Sequence, residues 1–396
     1  MSTATAALRT RIEGLGRNNV RRDLNAICDP MARVPLEISS GIFMRCLPNS
    51  PRLDPGNFPM LSLRVCHLWS DIALATPFLW TTIHTKDGDA KNFDTLFEIW
   101  LNRAGSLPLS LSLCGDLHRV MPLVKQHAHH VQNLDLIFRS GELDDIKAPF
   151  PYLRKLTIEL TPHYDDLGTQ ANYYIHAFIE IFRGAPSLVE CELRGMPGDD
   201  VGDTIADSLL HPSLRLLRLG AEGSDSSAGI LRHLTLPALE GLLVSALDIP
   251  STEFISFLTR SSPPLKCLHL TTHDPIDRIF RLIPSLTELQ LEFWSWNLTN
   301  EEAALSCLAA DCLPNLRSLT IIGSFFGAHS EYKNLIVRVL TARRAFTRHA
   351  QLQSFRILFP IDKEILALDG SAIASLRQLA EDGLHIYVGP KGNNYI

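Results

Sequence analysis

The sequence predicts an α/β fold in which an N-terminal helical segment precedes a solenoid, with parallel strands on the inside and helices on the outside. One observation is the pattern L-x-x-L-x-L, which recurs at steps of 21 to 36 residues through most of the chain. Repeats with periods in this range are typical of solenoids. A proline precedes most copies, as at Pro186, Pro237 and Pro284, and proline ends a helix and favours an extended segment. Apolar residues recur at helical spacing between the copies, so helix–proline–strand is the predicted unit.

The composition is that of an ordinary globular protein. Of 396 residues, 45% are hydrophobic and 20% are charged, which provides for a large core. The net charge of −6 argues against a nucleic-acid partner bound through phosphate contacts. We find neither an apolar run long enough to cross a bilayer nor a secretory signal, and we therefore expect a cytoplasmic or nuclear protein without a membrane partner. The eight cysteines contain no C-x-x-C pair and are expected to be reduced core residues.

Residues 1–30 predict a helical lead-in, and the segment that follows, 31–83, carries the most specific pattern in the chain. Four spaced groups of residues form that pattern: Pro35-x-Glu37-Ile38, Ile42-Phe43, Val65-Cys66-x-x-Trp69-x-x-Ile72-Ala73 and Pro77-x-Leu79-Trp80. The first two groups predict one short helix, and the third predicts a second helix that is apolar on more than one side. One side can pack within the chain, so the other needs a partner.

In these residues the segment resembles an F-box, most closely the F-boxes that are abundant in fungal genomes. The resemblance implies three helices that dock on a Skp-type adaptor, which bridges to a cullin in a ubiquitin ligase. The adaptor-binding residues that it implies are Pro35, Glu37, Ile38, Ile42, Phe43, Val65, Cys66, Trp69 and Ile72.

Two residues depart from the family pattern and predict a weaker adaptor contact. Ser39 stands where the family usually has a bulky aliphatic residue, and Gly41 stands in mid-helix, where glycine costs about 1 kcal/mol relative to alanine. The alternative interpretation is that 31–83 is only a helical cap on a larger domain.

Residues 84–105 predict a linker helix, in which Phe93, Phe97 and Trp100 share one face. The predicted solenoid spans 106–390, with its first strand at 109–113, and a mobile tail follows at 391–396. The middle leucine position of each later copy is occupied by Leu134, Leu156, Cys191, Leu217, Leu242, Leu268, Leu289, Leu319 and Phe355. Helical stripes between the copies include Phe178 with Phe182, Ile205 with Leu209, and Phe254 with Leu258.

The repeats resemble a degenerate leucine-rich-repeat horseshoe. They lack the asparagine ladder that satisfies the turn backbone in that family, so the turns must find other hydrogen-bond partners.

The sequence contains no recognisable catalytic motif, and we expect a non-catalytic protein without a cofactor or a resident metal. Phosphate loops, dinucleotide-binding glycine motifs, nucleophile elbows and zinc-protease helices are all absent from the sequence. His127, His129 and His130 offer imidazoles, but no cysteine or carboxylate at matched spacing completes a site. A polar helix end is the preferred interpretation of that cluster. Cys307 and Cys312 are interpreted as buried helix residues.

The strand positions between the leucines predict an inner surface of mixed charge, because side chains alternate along a strand. Aromatic residues and arginine dominate binding hot spots. The predicted target-binding residues are Glu190, Glu192, Arg194, Arg218, Glu288, Glu292, Trp294, Trp296 and Arg356. The alternative is that these charges are merely solvated and that the tryptophans fill a gap in the repeat.

The resemblance and the repeats together predict a substrate-recognition subunit of an SCF-type (Skp–cullin–F-box) ubiquitin ligase. The F-box would bind the adaptor, and the solenoid would bind an unidentified target protein. Ubiquitin transfer would then follow from the proximity of the target to the ubiquitin-loaded enzyme. A protein-binding scaffold that acts outside a ubiquitin ligase is the alternative function, and an enzyme is the third class.

Overall fold

The computed structural model divides the chain into two compact units, Met1–Leu153 and Arg154–Ile396. It describes residues 29–85, 93–115, 117–139, 143–161, 171–195, 208–220, 227–244, 251–271, 276–293, 298–310, 312–323, 330–345, 350–358, 370–390 and 394. Residues 1–28 of the predicted lead-in, Trp294, Trp296 and all of the predicted tail except Asn394 lie outside the described residues.

The first unit begins with short helices. A 3-10 helix, Pro30–Arg33, precedes α1 (Leu36–Arg45), α2 (Ser62–Val65) and α3 (His67–Leu74), and a second 3-10 helix, Pro77–Trp80, follows. The single helix predicted around Trp69 is in fact two, because Cys66 has extended backbone angles (φ −154°, ψ 173°) and ends α2 before α3 begins.

Three parallel strands complete this unit. They are β1 (Thr82–His84), β2 (Leu109–Cys114) and β3 (Val131–Arg139), and α4 (Phe93–Ala104), α5 (Leu117–Gln126) and α6 (Leu143–Ile146) accompany them. Ile83 lies in register with Leu111, and Leu111 with Leu134. Trp80 and Trp100 are fully buried and meet edge to face, with ring centroids 5.1 Å apart.

The second unit repeats a helix-then-strand alternation. Its main sheet contains β4 (Lys155–Thr161), β5 (Glu190–Arg194), β7 (Leu216–Leu219), β9 (Gly241–Val244), β10 (Cys267–Thr271), β11 (Glu288–Phe293), β12 (Ser318–Gly323), β13 (Ser354–Leu358) and β14 (His385–Gly389) in that order. Two short strands, β6 (Leu209–Leu210) and β8 (Leu234–Thr235), pair separately. The helices are α7 (Ala171–Gly184), α8 (Ser251–Ser261), α9 (Asp277–Leu282), α10 (Leu298–Ala309), α11 (Ser330–Ala345) and α12 (Gly370–Glu381), with a 3-10 helix at Ser227–His233.

The repeat leucines align across this sheet. The paired strands of this sheet are parallel, and the middle positions form one row of buried residues: Leu156, Cys191, Leu217, Leu242, Leu268, Leu289, Leu319, Phe355 and Ile386. The α/β prediction is therefore confirmed, and the arrangement is compatible with a solenoid. Leu209 is a correction, because it lies in a two-residue strand rather than in the predicted helix.

Side chains from neighbouring repeats satisfy the turn backbone that lacks an asparagine ladder. His211 Nε2 donates to the Ala185 carbonyl at 3.0 Å, and the Ser261 hydroxyl accepts from the Leu236 N–H at 3.1 Å. Ser285 Oγ donates to the Leu265 carbonyl at 2.8 Å. Each repeat thus supplies polar groups to the repeat before or after it, which adds hydrogen bonds to the apolar stacking.

Cys307 and Cys312 are joined by a disulfide, which corrects the expectation that all the cysteines are reduced. They are also not both buried helix residues, because Cys307 on α10 is half-buried and Cys312 lies beyond the end of that helix. Every helix in the described part of the chain is too short or too polar to cross a bilayer.

Candidate functional site

Helix α1 presents one side to the core and another to solvent. Ser39 and Phe43, one turn apart, are 1% exposed each, and the Ser39 hydroxyl donates to the Pro35 carbonyl at 3.1 Å. Ile38 and Ile42, also one turn apart, are 57% and 42% exposed. Helical periodicity therefore places a serine and a phenylalanine inside and two isoleucines outside.

Exposed large hydrophobic side chains concentrate in the segment that contains this helix. Seven of the eleven found in the described residues fall between positions 36 and 78: Leu36, Ile38, Ile42, Met44, Leu61, Leu74 and Phe78. We call these seven residues the apolar surface. Exposed isoleucines and leucines are ordinary when scattered, but a concentration of them marks an interaction site.

A single carboxylate organises the residues behind α1. Asp29 caps the first 3-10 helix by accepting from the Met31 N–H at 2.9 Å, and it also accepts from the Trp69 indole N–H. The Cys66 thiol lies 3.8 Å from the same carboxylate. The Trp69 ring packs on Phe43 with centroids 5.1 Å apart, so it links α3 to α1.

The predicted adaptor-binding residues divide by exposure. Pro35, Glu37, Ile38 and Ile42 are exposed, Val65 and Trp69 are half-buried, and Phe43, Cys66 and Ile72 are buried. The buried three pack within the chain, so their side chains offer little surface for a direct contact. Sequence reasoning missed Leu36, Met44, Leu61, Leu74 and Phe78, because it followed the family positions rather than the outward faces of the helices.

Four of the charged residues on β4, β5 and β7 form a ladder of ion pairs. Arg194 lies 3.3 Å from Glu159 and donates to Glu192 at 2.8 Å, while Arg218 lies 3.9 Å from Glu192. The hydrogen bond with Glu192 raises the pKa of the Arg194 guanidinium. Half-exposed ion pairs contribute at most about 1 kcal/mol each to stability. The ladder therefore contributes little to the stability of the fold and mainly fixes the positions of its four charges.

The other predicted target-binding residues lie elsewhere on the same sheet. Glu190 pairs with Lys155 at 3.8 Å, and Glu292 accepts from Thr271 at 3.3 Å. The Arg356 guanidinium lies 5.4 Å from the centre of the Tyr387 ring. Trp294 and Trp296 lie outside the described residues. The role of this whole set in binding stays a prediction.

Cys267, His269 and Glu288 come together on β10 and β11. Their ligand atoms lie within 4.8 Å of one another, and no other such group of three occurs among the residues that the structure describes. Burial, then Glu288, raises the pKa of the Cys267 thiol to about 11. Burial lowers the pKa of His269, although Glu288 opposes it. The residues His127, His129 and His130, which the sequence suggested as the first metal candidate, form no such group.

No protein-family model matches this chain, and no curated protein matches it.

Proposed function

We propose that this protein is the substrate receptor of an SCF-type ubiquitin ligase. In this proposal the segment 31–83 is an F-box that docks on a Skp-type adaptor, and the strand repeats are a leucine-rich-repeat-like solenoid that holds a target protein. The observation that carries the proposal is the apolar surface, because it lies in the segment whose residues resemble an F-box. Ile38 and Ile42 are its most direct contact residues, since they leave α1 on the same side.

The mechanism is proximity and needs no bond-making residue in this chain. A tethered target meets the ubiquitin-loaded enzyme at a raised effective concentration, which depends on geometry rather than on new contacts. The ion-pair ladder of Glu159, Arg194, Glu192 and Arg218 offers a target fixed charges of both signs. Complementary charge contributes more to specificity and association rate than to affinity.

The test is co-expression with a Skp-type adaptor, followed by gel filtration. The proposal requires that the two chains elute together at equal stoichiometry. The double variant Ile38→Asp/Ile42→Asp should weaken the complex about 100-fold or more, because burying each isoleucine contributes about 1.5 kcal/mol or more. Ile99→Asp is the matched control, since Ile99 is a 38% exposed isoleucine on α4, outside the apolar surface.

Trp69→Asp is a poorer test, because it would set a second carboxylate beside Asp29 and remove the packing on Phe43. Separate elution of a folded wild-type chain would contradict the ligase proposal and favour the scaffold function. Equal loss of binding in Ile38→Asp/Ile42→Asp and in Ile99→Asp would contradict the assignment of the contact face.

A further inference from the structure

The strands β10 and β11 bring together three side chains that no motif in the sequence connects. The register pairs Cys267 with Glu288 directly, and His269 lies two residues beyond Cys267 on the same side of β10. Their ligand atoms, one thiol sulfur, one imidazole nitrogen and one carboxylate oxygen, all lie within 4.8 Å of one another. A rigid pair of strands therefore fixes the positions of all three residues.

The distance between His269 and Glu288 suits a tetrahedral divalent ion. His269 Nε2 lies 3.6 Å from Glu288 Oε1, which is too far for a hydrogen bond. Two ligands at the usual Zn–N and Zn–O distances of about 2.0–2.2 Å stand roughly 3.4 Å apart in a tetrahedral site. An ion between these atoms would need little movement of either side chain.

The imidazole nitrogen Nε2 of His269 is buried and makes no hydrogen bond with any described residue. Buried polar atoms without partners are uncommon, and each calls for an explanation such as an unseen ion. Coordination to a metal would satisfy this nitrogen, because neutral imidazole is a common ligand of Zn²⁺.

The surroundings favour a site with no net charge. Gly241 and Leu243 lie beside Cys267 and His269 in the register, and a Cβ at Gly241 would come within 2.6 Å of Leu216. Apolar groups thus flank the cluster on the β9 side. One thiolate and one carboxylate together neutralise a divalent ion. The positive charge of Arg218 acts on Cys267 and His269, but its ion pair with Glu192 at 3.9 Å partly offsets its repulsion of a metal.

We propose that Cys267, His269 and Glu288 form a Zn²⁺ site with an open fourth position. Binding replaces the thiol proton of Cys267 by the metal and releases that proton to solvent. Sulfur, nitrogen and oxygen together select a borderline ion such as Zn²⁺ over Mg²⁺, which prefers oxygen ligands. The site shares no residue with the apolar surface, so the F-box proposal does not depend on it.

The test is a Co²⁺ titration of the full-length, metal-free chain, read by absorption spectroscopy. Co²⁺ bound by thiolate should give a charge-transfer band that saturates near one equivalent and disappears when Zn²⁺ displaces it. Cys267→Ser should abolish the band. His269→Gln and Glu288→Gln should weaken binding by at least the roughly 10- to 100-fold that loss of an outer-shell partner costs.

Cys114→Ser is the matched control, because Cys114 is also a free, half-buried cysteine on a strand and should leave the titration unchanged. Absence of the band, or its persistence in Cys267→Ser, would overturn the site. If a variant fails to fold, alkylation of the wild-type chain decides instead. Zn²⁺, but not Mg²⁺, should slow the alkylation of Cys267 relative to Cys114, and equal rates would contradict the proposal.

Discussion

Gly41 departs from the F-box pattern and also destabilises the helix in which it lies. It is exposed in the middle of α1, and a Cβ built there would meet nothing within 4 Å. Gly41→Ala should therefore stabilise the chain by about 1 kcal/mol, because alanine loses less backbone freedom than glycine in a helix. A rise in the urea midpoint at constant slope would measure it.

Gly105 provides the control for that substitution. Its surroundings are equally open, but its φ is +62°, a left-handed conformation that alanine adopts at a cost. Gly105→Ala should lower stability by about 1 kcal/mol. If both variants shifted the midpoint in the same direction, the explanation by backbone conformation would be wrong.

His211 should make stability depend on pH. Burial lowers its pKa, and its Nε2 donates to the Ala185 carbonyl at 3.0 Å. Because the folded pKa lies below the unfolded value of about 6.5, the neutral ring stabilises the fold above that pH. This contribution is lost as the pH falls through the folded pKa.

The variant His211→Gln keeps a donor near the same position but does not titrate. It should show a smaller loss of urea stability between neutral and mildly acidic pH than the wild type. Other histidines contribute a common slope to both proteins, so the difference isolates His211. An unchanged slope in His211→Gln would contradict the assignment.

At the scale of elements, arginine side chains tie successive repeats together. Arg343 on α11 is 1% exposed and donates to the carbonyls of Leu308, Cys312 and Leu313 at 3.3, 2.9 and 2.7 Å. Arg260 on α8 makes equivalent bonds to the carbonyls of the 3-10 helix and strand before it. The acceptors lie at or just beyond the C-terminal ends of α10 and of the 3-10 helix, where the last carbonyls of a helix lack intrahelical partners.

Arg343→Met should therefore destabilise the second unit by about 3 kcal/mol, since it leaves buried carbonyls without donors. Arg338→Met, at an exposed position of the same helix, should change stability by less than about 0.5 kcal/mol. Thermal unfolding followed by circular dichroism would measure both. Similar melting temperatures for the two variants would show that the three bonds contribute little.

The strands could be predicted because each copy repeats the same local pattern, and the aligned row from Leu156 to Phe355 confirms them. The contacts of Arg343 could not, because its acceptors lie 30 to 35 residues earlier and depend on how a helix end meets the next repeat. Spacing along the chain does not reveal the Cys267 cluster, because Cys267 and Glu288 lie on different repeats. Only the alignment of Leu268 with Leu289 places Cys267 beside Glu288.

The sequence pattern could also not predict the helix break at Cys66 or which residues of 31–83 are exposed. Helical spacing groups Ile38 with Ile42 and Ser39 with Phe43, but it does not say which pair faces the core. Tertiary packing decided that, through Trp69 and Phe58 against Phe43. The F-box assignment itself stays a prediction.

At the scale of the whole molecule, the apolar surface predicts how the isolated chain behaves in solution. Without an adaptor, the seven exposed side chains should drive self-association that grows with protein concentration. Salt should strengthen it, because ions screen the repulsion between chains of net charge −6. Ion-pair contacts would respond in the opposite way.

Sedimentation velocity over a concentration series would measure this behaviour. The wild type and Ile99→Asp should sediment faster as concentration rises, whereas Ile38→Asp/Ile42→Asp should stay monomeric. Wild-type chain that is bound to a Skp-type adaptor should behave like the double variant, because the adaptor would cover the same side chains. A wild type that remains monomeric alone would show that the apolar surface is too weak to associate with itself. If the double variant still associated, the driving contact would lie outside α1.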